Sequence, residues 1–150
     1  MTSSRWPRAA VSGAIWAAVY NLAWGVAWFA FMRKEWTAAV GALHQPLPWT
    51  AEFWVLWVAL TLPFGVAVMA YVASRPPSAP ATRAAVTASL ALWALMTIGM
   101  AGWSWQASLP WQLIASDSTV NLVAVLAASL AGAESQRVIE QAKRGSRRAA

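Results

Sequence analysis

Four long apolar segments with few charged residues constrain this chain of 150 residues more than any other feature. A helix needs about 20 predominantly apolar residues to cross the hydrocarbon core of a bilayer. The segments cover residues 9–32, 53–73, 84–105 and 110–133. We therefore predict an all-α fold, an integral membrane four-helix bundle with short loops, formed by a single domain that ends in a basic tail at 134–150.

Composition agrees with a membrane location and excludes several kinds of site. Hydrophobic residues make up 59% of the chain and charged residues 11%, whereas soluble domains average about 45–50% and 25%. The chain has no cysteine and one histidine, His44. This excludes disulfides, thiolate nucleophiles and cysteine-ligated clusters, and one histidine cannot supply both imidazoles of a bis-histidine haem. We expect no metal site and no cofactor.

The start of the fourth segment has two interpretations. Residues 118–133 are too few to span a bilayer comfortably, so the helix reaches full length only if it begins near Pro110. Asp117 then lies inside the outer third of the span. Alternatively, residues 110–116 lie on the surface and Asp117 caps a short span, because aspartate is a favoured N-cap residue.

Basic residues predict the orientation. Four spans place the N-terminus, the loop 74–83 and the tail on one side, which carries nine arginine and lysine residues, while the other side carries only Arg33 and Lys34. Short cytoplasmic segments are enriched in basic residues. We therefore predict a bacterial inner-membrane protein with both termini in the cytoplasm.

Tryptophan is concentrated towards the predicted outer side. Indole rings prefer the headgroup level of a bilayer, so a one-sided aromatic belt explains this pattern. The alternative is an outer aromatic cleft that binds a lipid or a flat ligand. Its candidate residues are Trp28, Trp54, Trp57, Trp103, Trp105 and Trp111.

The first outer loop contains its own helical pattern. Trp36, Val40 and Leu43 recur at the spacing of one helical face. This pattern predicts a short helix that lies in the membrane interface.

Two adjacent stripes of residues run along the first predicted span. One has small or polar residues at every fourth position, and we expect it to face the bundle, since small residues allow close helix packing. The other is aromatic and either fills a seam between helices or meets lipid. The first stripe is Gly13, Ala17, Asn21 and Gly25, and the second is Trp16, Tyr20, Trp24 and Trp28.

One polar residue in each span lies near mid-depth. These residues are Asn21, Thr61, Thr97 and Asn121. They predict either hydrogen bonds between helices or a polar site for a substrate or a proton.

Asp117 is the one carboxylate that we place within a span. It shares a helical face with Asn121 four residues later, and Ser104 and Gln106 are candidate hydrogen-bond donors to it. Either it is a cap or an anchor, or it forms a proton or cation site.

The basic tail predicts attraction to anionic lipid. We expect no nucleic-acid partner, because the tail has no interleaved aromatic residues. The small-residue stripes predict contact with other membrane helices, in a homo- or hetero-oligomer.

No catalytic motif is present, so we expect no enzymatic activity. The layout resembles small uncharacterised bacterial four-helix membrane proteins, through Leu22-Ala23-Trp24-Gly25 and the segment Trp111–Asp117. That resemblance implies no activity.

Two functional hypotheses follow. The first is a non-enzymatic accessory, assembly or scaffold subunit that packs against other membrane helices. The second is a small-molecule or proton-coupled transporter, or a lipophile-binding protein, that uses Asp117 and Asn121 together with the outer tryptophan cleft.

Overall fold

Helices make up nearly all of the described chain. The computed structural model describes residues 5–44, 49–76 and 80–149, with no strand among them. Four helical runs are long and apolar enough to cross a membrane. This confirms the predicted all-α class and the presence of four helices of spanning length. The helices are α1 (Arg5–Ala27), α2 (Arg33–Ala42), α3 (Ala51–Ser74), α4 (Ala81–Gln106) and α5 (Trp111–Ala149).

The first long helix continues past Met32, where the sequence predicts the end of the first span. A π-helical turn, Trp28–Met32, joins α1 directly to α2, and the Arg33 amide donates to the Trp28 carbonyl oxygen. Residues 28–40 contain neither glycine nor proline, so nothing in this stretch stops the helix. The predicted short helix is present at Arg33–Ala42, but it continues α1 instead of following a loop.

Helices α1 and α3 pack antiparallel at very close range. Near one end, Gly13 faces Val66 so closely that a Cβ atom at Gly13 would lie 2.6 Å from the Val66 Cα. Further along, the Asn21 amide donates to the Thr61 hydroxyl at 2.7 Å. Small residues at the crossing allow the two backbones to meet.

Helix α5 packs antiparallel along α1 on the other side of the core. The Trp16 indole donates to the Ser129 hydroxyl at 2.8 Å. Towards the start of α5, the Tyr20 hydroxyl donates to Asn121. Helix α4 joins α5 through a contact between Ser89 and Ser129.

The start of α1, the end of α3, the start of α4 and the last part of α5 meet at one end of the bundle. Arg8 forms an ion pair with Glu140 there, and Arg75 and Pro80 line the same cavity. We call this the terminal end. The opposite end contains α2 and the connection between α4 and α5.

A tight turn connects α4 to α5. The Leu109 amide donates to the Ser104 carbonyl oxygen, and the Ser108 amide donates to that of Trp105. This is the pattern of a Schellman motif, with Ser108 in the left-handed region at φ 55°. Helix α5 then begins at Trp111, so Asp117 lies inside the helix and is not its N-cap. The helix also continues beyond the predicted span limit at residue 133.

Candidate functional site

A cavity of about 250 Å³ lies at the end of the bundle opposite the terminal end. Residues from α1, the π-helical turn, α2, α3 with its preceding segment, α4 and α5 all contribute to its wall. We call it the Trp cavity. Its wall consists of Trp24, Trp28, Trp36, Trp49, Phe53, Trp57, Met100, Trp103 and Asp117.

The Trp cavity overlaps only in part with the cleft that the sequence predicted. Trp28, Trp57 and Trp103 line it. Trp54 packs against the Trp28 ring at 5.6 Å but does not line the cavity. Trp105, with 87% of its surface exposed, lies outside it.

Trp111, with 70% of its surface exposed, also lies outside the Trp cavity. Trp24, Trp36 and Trp49 line the Trp cavity but were not among the residues predicted for the cleft. The sequence did indicate a role for Trp24, since this residue belongs to the aromatic stripe of α1. The positions of Trp36 and Trp49 depend on contacts between distant segments, and no local sequence pattern indicates such contacts.

Ring contacts hold the cavity wall together. Trp24 stacks on Trp28 with the ring centroids 5.3 Å apart, and it contacts Trp57 at 5.1 Å. Trp28 meets Trp49 edge-on at 4.6 Å, and Trp36 stacks on Trp103 at 6.3 Å. These separations and angles are typical of favourable aromatic pairs. The aromatic wall is therefore formed by mutual packing of the rings.

Asp117 is buried, and a chain of hydrogen bonds orients its carboxylate. The Asn121 side-chain amide donates to Asp117 Oδ2 at 2.8 Å, and the Tyr20 hydroxyl donates to Asn121 Oδ1. Asp117 therefore acts as the final acceptor of this chain. Trp24 lies beside the carboxylate, although its indole N–H forms no hydrogen bond of ordinary geometry with it. Neither Ser104 nor Gln106 forms the predicted hydrogen bond to Asp117.

Several buried donors around the cavity have no hydrogen-bond partner among the described residues. They are the indole nitrogens of Trp24, Trp36, Trp49 and Trp57. Trp36 is 2% exposed. Buried polar groups are normally paired, so unpaired donors around a cavity indicate that something else completes their hydrogen bonds.

The four predicted mid-depth residues do not form one cluster. Asn21 pairs with Thr61 between α1 and α3. Thr97 pairs with Ser118 at 2.9 Å between α4 and α5. Asn121 belongs to the Asp117 chain. The structure thus separates them into three sites, and only the third reaches the Trp cavity.

We predict a small coupling between Asn21 and Thr61. Thr61→Val keeps the side-chain shape and removes the hydroxyl, and Asn21→Ala removes the donor. Hydrogen bonds between membrane helices contribute about 0.6 kcal/mol on average, up to about 1.7 kcal/mol. A double-mutant cycle on thermal unfolding in mild detergent should return a coupling in that range. Strictly additive effects would contradict the prediction.

A second polar site lies deeper in the bundle, and the sequence did not reveal it. Trp16 and Tyr20 stack with parallel rings at 5.2 Å, and Trp16 donates to Ser129, which contacts Ser89. All four side chains are almost fully buried. The aromatic stripe of α1 therefore fills a seam between helices, one of the two alternatives that the sequence left open.

The small-residue stripe of α1 faces two different surroundings. Gly13 and Ala17 are buried against neighbouring helices, and Asn21 bonds to Thr61. A Cβ atom at Gly25 would meet nothing within 4 Å. Part of the stripe is therefore used for contacts within this chain.

The terminal end contains a wider cavity of about 750 Å³. Arg8 and Arg137 in its lining are paired with Glu140 and Glu134. Arg144 also lines it. Ion pairing within the chain thus neutralises Arg8 near the N-terminus and Arg137 in the tail.

Within residues 5–44, 49–76 and 80–149, no three histidine, aspartate or glutamate side chains are grouped as a metal site requires. Comparison with protein-family models, curated proteins and solved structures found no match to this chain.

Proposed function

We propose that this protein is a membrane-embedded binding protein for a small lipophilic molecule, with the Trp cavity as its binding site. The observation that carries the proposal is an aromatic cavity of about 250 Å³ that includes a buried carboxylate. Small-molecule sites are typically concave and mostly apolar, with a few polar groups that fix orientation. This cavity is somewhat smaller than the common range of about 300–1,000 Å³, which favours a compact ligand.

The unpaired indole N–H groups support the same function. A well-packed structural core seldom leaves several buried donors without partners, because each costs about 1–3 kcal/mol. Trp36, Trp49 and Trp57 all line the cavity, so a ligand or an ordered water molecule bound there is the nearest candidate partner for their N–H groups. Trp103 lines the cavity and is 46% exposed, so the wall reaches the molecular surface at this residue. We propose that the ligand enters there.

We further propose that the Trp cavity lies on the outer side of a bacterial inner membrane. The nine-to-two distribution of basic residues supports cytoplasmic termini. Under that orientation, α2 lies near the outer interface. The basic terminal end then faces the leaflet surface, where anionic lipid is a suitable partner for Arg75 and Arg144.

An accessory or scaffold role remains the alternative. The small-residue stripe of α1, which suggested this role, is partly used for packing within the chain, since Gly13 and Ala17 are buried there. Size measurement in mild detergent tests this role. A monomer with no co-purifying partner would count against it.

The binding function is tested with two aromatic probes of one shape, neutral neopentylbenzene and cationic benzyltrimethylammonium. We expect saturable binding of at least one probe to the protein in lipid nanodiscs, followed by calorimetry. Trp57→Leu removes part of the wall and is expected to weaken binding about tenfold, a typical effect of losing an aromatic contact in a binding site. Trp105→Leu, outside the cavity, is the matched control and should bind like the wild type.

Absence of saturable binding by both probes would overturn the proposed function. Equal losses in Trp57→Leu and Trp105→Leu would also contradict it, because those losses would report general destabilisation. A thermal unfolding curve for each variant establishes that the bundle is intact.

A further inference from the structure

Asp117 has no cationic partner among the described residues. It is 3% exposed, and the ion pairs of the described chain join Arg8 to Glu140 and Arg137 to Glu134 instead. A buried carboxylate is costly unless it is protonated or faces a counter-charge. Ionisable groups inside membrane helices therefore mark functional sites.

The surroundings of Asp117 are those that bind an organic cation. Trp24, Trp28 and Trp57 line the same cavity as Asp117, and Trp24 lies beside the carboxyl group. An aromatic face attracts a cation through its quadrupole, most strongly for tryptophan and most strongly away from water. A carboxylate together with several indoles satisfies both the charge and the alkyl surface of an ammonium group.

The neighbouring charges at this end of the bundle balance one another. Arg33 and Lys34 contribute two positive charges and Glu35 and Glu52 two negative ones, so Asp117 gives this end its net charge of −1. Arg33 lies over the Phe29 ring, with its Cζ atom 6.0 Å from the centroid. The terminal end is strongly basic, so the cavity lies at the end of the molecule that repels positive ligands less.

We propose that the Trp cavity binds a small organic ammonium cation, with Asp117 as the counter-ion and the indole faces around its alkyl groups. This inference rests on the proposed function and adds the chemical class of the ligand. Asn121 and Tyr20 hold the carboxylate in place as an acceptor, so its orientation is fixed before the ligand arrives.

The test compares the two probes in wild type and in Asp117→Asn, measured by calorimetry in lipid nanodiscs. The probes differ by one atom, quaternary nitrogen against quaternary carbon, so the difference between them reports charge. We expect Asp117→Asn to lower the binding affinity for benzyltrimethylammonium about tenfold or more. The affinity for neopentylbenzene should stay within about twofold of the wild-type value. Asp117→Glu keeps the charge and is expected to retain the preference for the cation.

The outcomes separate this inference from the proposed function. Suppose that neopentylbenzene binds and that the affinity of neither probe changes when Asp117 is substituted. That result would overturn the cation inference and leave the binding function in place. A parallel loss of both probes in Asp117→Asn would overturn the inference too, because the carboxylate would then act only on the cavity shape. Failure of both probes in the wild type would overturn both proposals. If Asp117→Asn does not fold, Asp117→Glu and Asp117→Leu replace it. The inference holds if Asp117→Glu keeps the preference for the cation and Asp117→Leu loses it, and it fails if Asp117→Leu keeps the preference.

Discussion

Gly13→Ala is expected to destabilise the bundle by about 2–3 kcal/mol, the upper part of the usual range for overpacking. The added methyl group would lie 2.6 Å from both the Cα and the N of Val66. These are backbone atoms, so no rotamer change relieves the clash, and α1 must move away from α3. The hydrogen bond between Asn21 and Thr61 further along the same contact would be strained as well.

Gly25→Ala is the matched control for this substitution. It adds the same methyl group to the same helix, at a position where nothing lies within 4 Å. Alanine has the higher helix propensity, so we expect a neutral or slightly stabilising effect of up to about 1 kcal/mol. Thermal unfolding in mild detergent, followed by circular dichroism, measures both variants.

The reciprocal change tests the same contact from α3. A Cβ atom at Gly65 would meet the Gly13 carbonyl oxygen and the Trp16 ring. We expect Gly65→Ala to lower the free energy of unfolding as much as Gly13→Ala does. The double variant should lose less than the sum of the two, because one displacement of α1 from α3 relieves both clashes. If Gly13→Ala and Gly25→Ala unfold at the same temperature, α1 and α3 do not meet at this point.

Trp16→Ala is expected to be the most destabilising substitution in the second polar site. Trp16 is 1% exposed, stacks on Tyr20 and donates to Ser129. Large-to-small changes of this kind cost about 3–5 kcal/mol in soluble cores. The cost in a bilayer is smaller, because a separated helix places the ring in lipid instead of water, and we expect about 2–3 kcal/mol.

Two further variants identify the origin of that loss. Trp16→Phe keeps a ring against Tyr20 and removes the donor to Ser129, and we expect a loss of about 1 kcal/mol. Trp105→Ala removes an exposed ring and should leave stability nearly unchanged. The prediction fails if Trp16→Ala is no more costly than Trp105→Ala in the same unfolding measurement.

The spacing of residues in the sequence indicated which side chains share a face of α1, but not which side chains of α4 and α5 they contact. The four-residue spacing of Trp16, Tyr20 and Trp24 correctly grouped them on one face of α1. Their partners Ser89 and Ser129 were not predicted, because a serine in a span has no distinctive pattern and its role depends on which helix faces it. The sequence also showed no sign that the helix continues past Met32, since the charged pair after it resembles a span end although the backbone remains helical.

The sequence by itself determined the number of helices and their apolar character, because crossing a bilayer requires a fixed length of non-polar chain and internally paired backbone groups. It also marked Asp117 as unusual, since a carboxylate in such a segment is rare. Only the tertiary structure decided which tryptophans form the Trp cavity and that Asp117 lines it. Ring-on-ring packing joins residues from five separate parts of the chain, and such contacts depend on the relative positions of whole helices, which local periodicity does not determine.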